Sequence, residues 1–441
     1  VAGGLVAFGI VMMLVVAPSL SALVQPQSVL VPKQLRVRSR PRVSMAASPT
    51  RFVNPLDVDG FAEPGGWRGT GADDAMPMLY FLPGMDGSLS TAFMQYPELS
   101  TNFELACLTH SDGLDSRASF EELTASCAAE ISASARSGRQ VLLVGESFGA
   151  TLGIAVAHRL RDVQEVRGLV LVNPATSYER SNLARFGPIC AALQGPLLYP
   201  LYLLSLVGFA ALVLTPTYQA PAFVAMLAAT KVPTLLNNPY REAWLGRVAL
   251  AAFLGLRAPG LEIGPLLAIT PFKPQDLSFR LSEWLQLGAR RVSEGRLASE
   301  LTLPVMAVVG DMDYLLPSAD EASRLAEAVG DERWRGTVVV QGAGHASTLG
   351  NRVDLSREIR EALAHEFTPA LREVDLVTRA ENPGDDGGGW DRGMLDRTFP
   401  SLDPTEYTRR SRGGDQYPGA DAGSVAARST ELPAWLKMLK P

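Results

Sequence analysis

The sequence is poor in the residues that build metal centres and disulfide frameworks, with 3 cysteines and 4 histidines in 441 residues. Cys107, Cys127 and Cys190 stand far apart and leave at least one thiol unpaired, which suits a reducing compartment better than a disulfide-stapled exterior. There is no close cysteine pair and no H-E-x-x-H, so neither structural zinc nor metal-assisted hydrolysis is expected, and no cofactor is called for. An excess of basic charge is also missing: 40 Lys and Arg stand against 46 Asp and Glu, a formal net charge of -6. That leaves no global field to recruit a phosphate backbone, and nucleic-acid binding is disfavoured. What remains, 47% hydrophobic and 20% charged, is the composition of a core-forming globular chain long enough for one large domain or two ordinary ones.

The two ends read as lying outside the fold. Leu5 to Val16 is an apolar run, shorter than the ~20 residues a spanning helix needs, and small residues follow it in Ser19-Leu-Ser-Ala22. From Gln25 to Thr50 come Lys33, Arg36, Arg38, Arg40 and Arg42, several Ser, and neither Asp nor Glu. Residues 1–50 are therefore expected to be a two-part plastid leader, although a mitochondrial presequence or a secretory signal with a basic linker has the same composition. Residues 51–75 read as an irregular lead-in. Residues 367–441, with Gly-Asp-Asp-Gly-Gly-Gly from Gly384 and little apolar periodicity, read as a disordered tail.

Between the ends, short apolar runs recur at Met78–Leu82, Phe103–Thr109, Gln140–Val144, Gly168–Val172, Pro304–Val309 and Thr337–Gln341, the pattern of buried strands. Helical segments alternate with them: Ser119–Arg136 opens with Ser119 and Glu122 at capping-box spacing, and Phe148–Arg161 follows the third strand directly. This alternation predicts a mostly parallel α/β sheet, with chemistry beyond the carboxyl ends of the strands.

The third strand runs into Gly145-Glu146-Ser147-Phe148-Gly149, a G-x-S-x-G match with a strand before it and a helix after it. A turn this sharp lifts a serine Oγ to the top of the sheet, and small residues on either side let strand and helix approach. An ordinary glycine turn would carry the same pentapeptide, so the rest of the chain must supply a base. Of the histidines, His345 fits best, in Gly342-Ala-Gly-His345 just after the last strand. His158 and His365 project from helices and read as solvated or packing residues, and His110 stays undecided. The fifth strand ends in Gly310-Asp-Met-Asp313-Tyr-Leu-Leu-Pro317, where Asp313 is the expected orienting acid and Asp311 a turn cap. The chain order Ser147, Asp313, His345 is that of a nucleophile-elbow hydrolase. Oxyanion donors are expected from the backbone amides of Met85, in Leu82-Pro-Gly-Met85-Asp-Gly87, and of Phe148. Asp86 fits either a loop-fixing acceptor or a solvated turn residue.

From Pro174 to Leu303 the chain leaves the sheet, and Phe186–Thr230 contains no Asp, Glu, Lys or Arg. Pro188, Pro196, Pro200, Pro216 and Pro221 cut this run below spanning length. An apolar helical lid over residues 174–303 is expected, lining a channel for an acyl or prenyl chain and able to lie on a lipid surface; a helix pair buried by the domain itself would share the pattern.

Leu82–Gly87, Gly145–Gly149 continuing to Val172-Asn-Pro-Ala-Thr-Ser177, and Gly310–Asp313 with Leu316-Pro-Ser318 leading to Gly344-His345 together resemble the α/β-hydrolase superfamily. Within it they are most similar to the plastid phytyl ester synthase and diacylglycerol acyltransferase-like group, over residues 78 to about 363. The resemblance implies a serine acyl-enzyme that takes a fatty acyl group from an acyl thioester or a galactolipid and delivers it to phytol or diacylglycerol. It also implies a plastid setting, at a membrane, lipid-droplet or plastoglobule surface. Plant members continue into a second acyltransferase domain with an H-x-x-x-x-D motif. The sequence after His345 shows no such motif, and His110 with Asp115 matches the spacing only by coincidence. That puts transfer in more doubt than ester cleavage. A lipase, thioesterase or other ester hydrolase, and a catalytically silent lipid-binding protein, are the competing expectations.

Overall fold

The computed structural model describes residues 50–55, 76–87, 92, 95–110, 117–195, 198, 201–202, 205, 274–346, 348–350, 352–371 and 408–411. In chain order they form β1 (Thr50–Val53), β2 (Met78–Leu82), α1 (Tyr96–Leu99), β3 (Glu104–His110), α2 (Phe120–Arg136), β4 (Val141–Glu146), α3 (Phe148–Arg159), β5 (Val166–Val172) and α4 (Asn182–Ala191). Then come α5 (Pro274–Phe279), a π-helical segment (Arg280–Leu287), α6 (Gly288–Glu294), β6 (Val305–Gly310), α7 (Ser318–Val329), β7 (Trp334–Val340), α8 (Leu355–Leu363) and β8 (Thr408–Ser411).

The strands join one 8-stranded sheet in the order β1-β3-β2-β4-β5-β6-β7-β8. From β3 to β7 neighbours pair parallel, while β1 on β3 and β8 on β7 are antiparallel. Strands buried on both faces need apolar residues at every position, and their alternation divides the core in two. Tyr80, Leu82, Leu143, Leu169 and Leu171 face one cluster with Phe120, Leu123 and Ile131 of α2. Leu79, Phe81, Leu142, Val144, Val170 and Val172 face the other, with Ile359 and Leu363 of α8. This is the α/β-hydrolase architecture, in which the crossover connections put the carboxyl ends of the parallel strands β2 to β7 on one rim.

The capping box at the start of α2 forms as the spacing predicts: the Ser119 hydroxyl accepts from the Glu122 amide while the Glu122 carboxylate accepts from the Ser119 amide. β5 and β7 begin earlier than expected, at Val166 and Trp334, where Val166 pairs with Val141 and Trp334 with Val305, each just before a register shift. Two expectations about the ends are corrected. Thr50–Val53 is an ordered edge strand, not leader and irregular lead-in, and Thr408–Ser411 in the supposedly disordered tail pairs with β7. A sheet edge offers a row of backbone donors and acceptors, so a segment such as Thr-Arg-Arg-Ser pairs there without an apolar pattern.

Both ends of the excursion after β5 are helical: α4 leads away, and α5, the π-helical segment and α6 lead back. Its centre, 206–273, lies outside the described residues, as do 1–49, 56–75, 372–407 and 412–441, which hold most of the leader and tail, and Asp115. Among the described residues no helix is long and apolar enough to cross a membrane.

Candidate active site

Ser147 sits between β4 and α3 at φ 55°, ψ -115°, a conformation rare for a side chain larger than glycine. The surroundings hold it there: its amide donates to the Val172 carbonyl at 2.8 Å, and its carbonyl accepts from Ala150 at 3.1 Å and Ala175 at 3.2 Å. The flanking glycines are required by contact. A Cβ on Gly145 would lie 2.3 Å from the Gly149 carbonyl oxygen, and one on Gly149 would lie 1.8 Å from that of Leu82. Ser147 makes no side-chain cap on α3, so the amides of the first helical turn, Phe148 foremost, are directed at whatever occupies the space above them.

Asp313 and His345 meet. The imidazole Nδ1 lies 2.7 Å from Asp313 Oδ2, with both residues buried. The carboxylate is fixed on its other sides: Oδ1 accepts from the Leu315 amide at 2.9 Å and the Leu316 amide at 3.0 Å, and Oδ2 accepts from the Ser318 hydroxyl at 2.5 Å. Burial pushes the His345 pKa down, but the Asp313 charge and hydrogen bond, with the charges of Glu146 and Asp86, outweigh it and hold the imidazole above its ordinary value. Glu146 and Asp86 are neighbours of Ser147 and Met85 in the chain, which puts His345 within electrostatic reach of both loops. An imidazole that gives its Nδ1 proton to a carboxylate presents Nε2 as a base. Asp311 Oδ1 accepts from the Gly342 amide at 2.6 Å, a contact that ties the loop after β6 to the loop after β7.

Met85 lies in a turn closed by the Gly87 amide donating to the Gly84 carbonyl at 2.9 Å. The turn comes close to the elbow: a Cβ on Gly84 would stand 3.7 Å from that of Ser147. The remaining histidines are elsewhere. His158 pairs with Glu300 at 2.7 Å, His365 is exposed, and the backbone of His110 ends β3 beside Thr50. The three cysteines are free and buried, and burial raises each thiol, Cys127 to about 12, so none is an activated nucleophile.

Three positioning groups escaped the sequence reading. Asn173, non-glycine at φ 42°, donates from Nδ2 to the His345 carbonyl at 2.9 Å and to Thr348 Oγ1 at 2.8 Å, while its Oδ1 accepts from the Gly310 amide at 3.0 Å. It ties the ends of β5 and β6 to the histidine loop. Gln95 secures the far side of that loop, donating to the carbonyls of Leu349, Gly350 and Val353 and accepting from the Leu355 amide. Arg280 donates from Nη1 to the Met85 carbonyl at 2.8 Å. Asn173 alone had a visible signal, as a polar residue directly after a strand in the stretch most specific to the resembled group.

No protein-family profile matches the chain. A 143-residue stretch is 38% identical to phytyl ester synthase 1, chloroplastic, of Arabidopsis thaliana, covering 32% of this chain and 18% of that protein. Over that stretch the chain is similar to phytyl ester synthase 1, and its sheet has the α/β-hydrolase arrangement. It matches under a fifth of the length of this curated relative. Solved structures with a similar arrangement include the enol-lactonase from Burkholderia xenovorans LB400 (TM-score 0.43, 15% identity, 65% of this chain and 91% of that one). MenH from S. aureus is another (0.41, 12%, 73% and 99%), and carboxylesterase CesB from Bacillus subtilis a third (0.38, 13%, 66% and 84%).

Proposed function

We propose that this protein carries out serine-dependent acyl transfer on lipid esters, with Ser147 as nucleophile, His345 as base, Asp313 as orienting acid, and the Met85 and Phe148 amides as oxyanion donors. The 2.7 Å contact between His345 Nδ1 and Asp313 Oδ2, on the rim that carries the Ser147 elbow, is the observation that supports it most. Ser147 Oγ attacks the acyl carbonyl as His345 Nε2 takes its proton, and the imidazolium formed is stabilised by Asp313. The carbonyl oxygen gains charge between the two amides, each such hydrogen bond lowering the barrier by about 3 kcal/mol. His345 then protonates the departing sulfur or oxygen as its bond to the acyl carbon breaks, and in the second half an acceptor hydroxyl, giving its proton to His345, attacks the acyl-enzyme and releases Ser147.

The likeness to phytyl ester synthase 1, chloroplastic, supports phytyl ester chemistry and a plastid setting; diacylglycerol as an alternative acceptor, and an acyl thioester or galactolipid as donor, belong to the proposal. Transfer, unlike hydrolysis, requires that water be kept from the acyl-enzyme. Purified protein given acyl-CoA or galactolipid together with phytol is expected to form phytyl ester. Free fatty acid alone would convert the reading to a lipase or thioesterase, and absence of turnover together with absence of fluorophosphonate labelling would make the protein a silent lipid binder.

A further inference from the structure

We propose that Arg280 is a positioning residue for the oxyanion hole, through which the returning end of the excursion sets the catalytic competence of the sheet rim. The inference deepens the acyl-transfer reading and rests on it. A guanidinium with 0% exposure is costly unless its charge and donors are used where they are buried. Arg280 directs them at Met85 and at Trp284. Its Nη1 donates to the Met85 carbonyl at 2.8 Å, and its Cζ lies 4.3 Å from the centre of the Trp284 ring. Trp284 in turn stacks on Phe148, the ring centroids 5.0 Å apart and the planes 14° from parallel. One continuous column therefore joins Met85 to Phe148, the two residues whose amides face the developing oxyanion.

The column also explains how the Met85 amide is aimed. In a trans peptide the N–H of Met85 points opposite to the carbonyl of Gly84, and that carbonyl is taken by the Gly87 amide. The next carbonyl, that of Met85 itself, is held by Arg280. With both ends of the residue fixed, its amide has one direction. The column has its own foundation in the sheet domain: Trp284 Nε1 donates to the Ala118 carbonyl at 2.8 Å, Glu283 accepts from the Phe120 amide at 3.3 Å, and Arg117 binds the buried Asp276 at 2.8 Å. Arg280 and Trp284 fall in the π-helical segment, a widened turn of the kind that concentrates at functional positions.

The test is steady-state hydrolysis of p-nitrophenyl butyrate by the full chain and its variants, with a fluorophosphonate titration to completion counting functional Ser147. Arg280→Met is expected to lower kcat on the order of 10- to 100-fold with KM within twofold and the titration unchanged. A trifluoromethyl ketone, which mimics the oxyanion adduct, should lose affinity by the same factor. In Arg280→Ala, added methylguanidinium should restore part of the lost kcat. Arg290→Met, which breaks only the exposed pair with Glu179 on the same helical run, should retain kcat. Should kcat of Arg280→Met stay within twofold, or fall only as far as the titratable serine falls and without methylguanidinium rescue, the positioning role is overturned while the acyl-transfer reading stands. A wild type that neither hydrolyses the ester nor accepts the fluorophosphonate removes both.

Discussion

The two halves of the candidate site are held by different physics. On the acid–base half, His345 and Asp313 sit in a mesh of directional polar contacts, from Leu315, Leu316 and Asn173 of the strand-end loops and from Ser318 at the start of α7. On the oxyanion half, Met85 and Phe148 are joined by a cation–aromatic stack supplied by the segment that returns from the excursion. A mesh of buried hydrogen bonds is stiff and fails when one donor is lost. A stack borne on an inserted element moves with that element. The proposed base is thus held by the sheet domain, whereas the proposed oxyanion donors rest on the segment from Pro274 to Glu294.

Breaking the acid–base half has the larger effect. Asp313→Asn keeps the shape and removes the charge, so kcat on a simple ester should fall about 10⁴-fold in a folded protein. The pH dependence sharpens the point. Because His345 is held above its ordinary value near 6.5, kcat/KM of the wild type should fall with acid through a pKa above that value, and Asp313→Asn should move the inflection down. Stability runs the other way. A raised imidazole pKa contributes stability in full below the unfolded value and loses it as pH rises through the folded one, so Asp313→Asn should lower Tm more at pH 5.5 than at pH 8.5.

Asn173→Ala leaves the His345 carbonyl, Thr348 and the Gly310 amide without their shared partner, and should cost about 3 kcal/mol in denaturant unfolding and slow kcat about tenfold. Trp284→Leu strikes the other half at comparable cost. As the two residues have no partner in common, their combined effect on stability should be additive within about 0.5 kcal/mol; strong coupling would show the halves to be one unit. The smallest effect belongs to Ser119→Ala, where loss of the capping box should remove about 1 kcal/mol of stability.

The parts legible in the sequence are those written in local pattern. Strands buried on both faces announce themselves as apolar runs, the capping box is four residues long, and the order Ser147, Asp313, His345 follows from which polar residues end which strands. Contacts between distant segments left no such trace. Gln95 reaches carbonyls 254 to 258 residues away, and nothing around it distinguishes it from a surface glutamine. Arg280 and Trp284 carry no local mark of a role until Met85 and Phe148 are seen beside them. The edge strands β1 and β8 were missed because their pairing rests on backbone groups, which every sequence possesses.

The most direct test of the whole reading is the site of covalent modification. Wild type, Ser147→Ala and His345→Ala are exposed to a fluorophosphonate near pH 8, digested with trypsin, and the peptide spanning residues 140–159 is weighed. Phosphonylation of that peptide at Ser147 in the wild type, its disappearance in Ser147→Ala and its strong slowing in His345→Ala are the expected result. Wild-type protein that stays unmodified, or that carries the label on another residue, would contradict it.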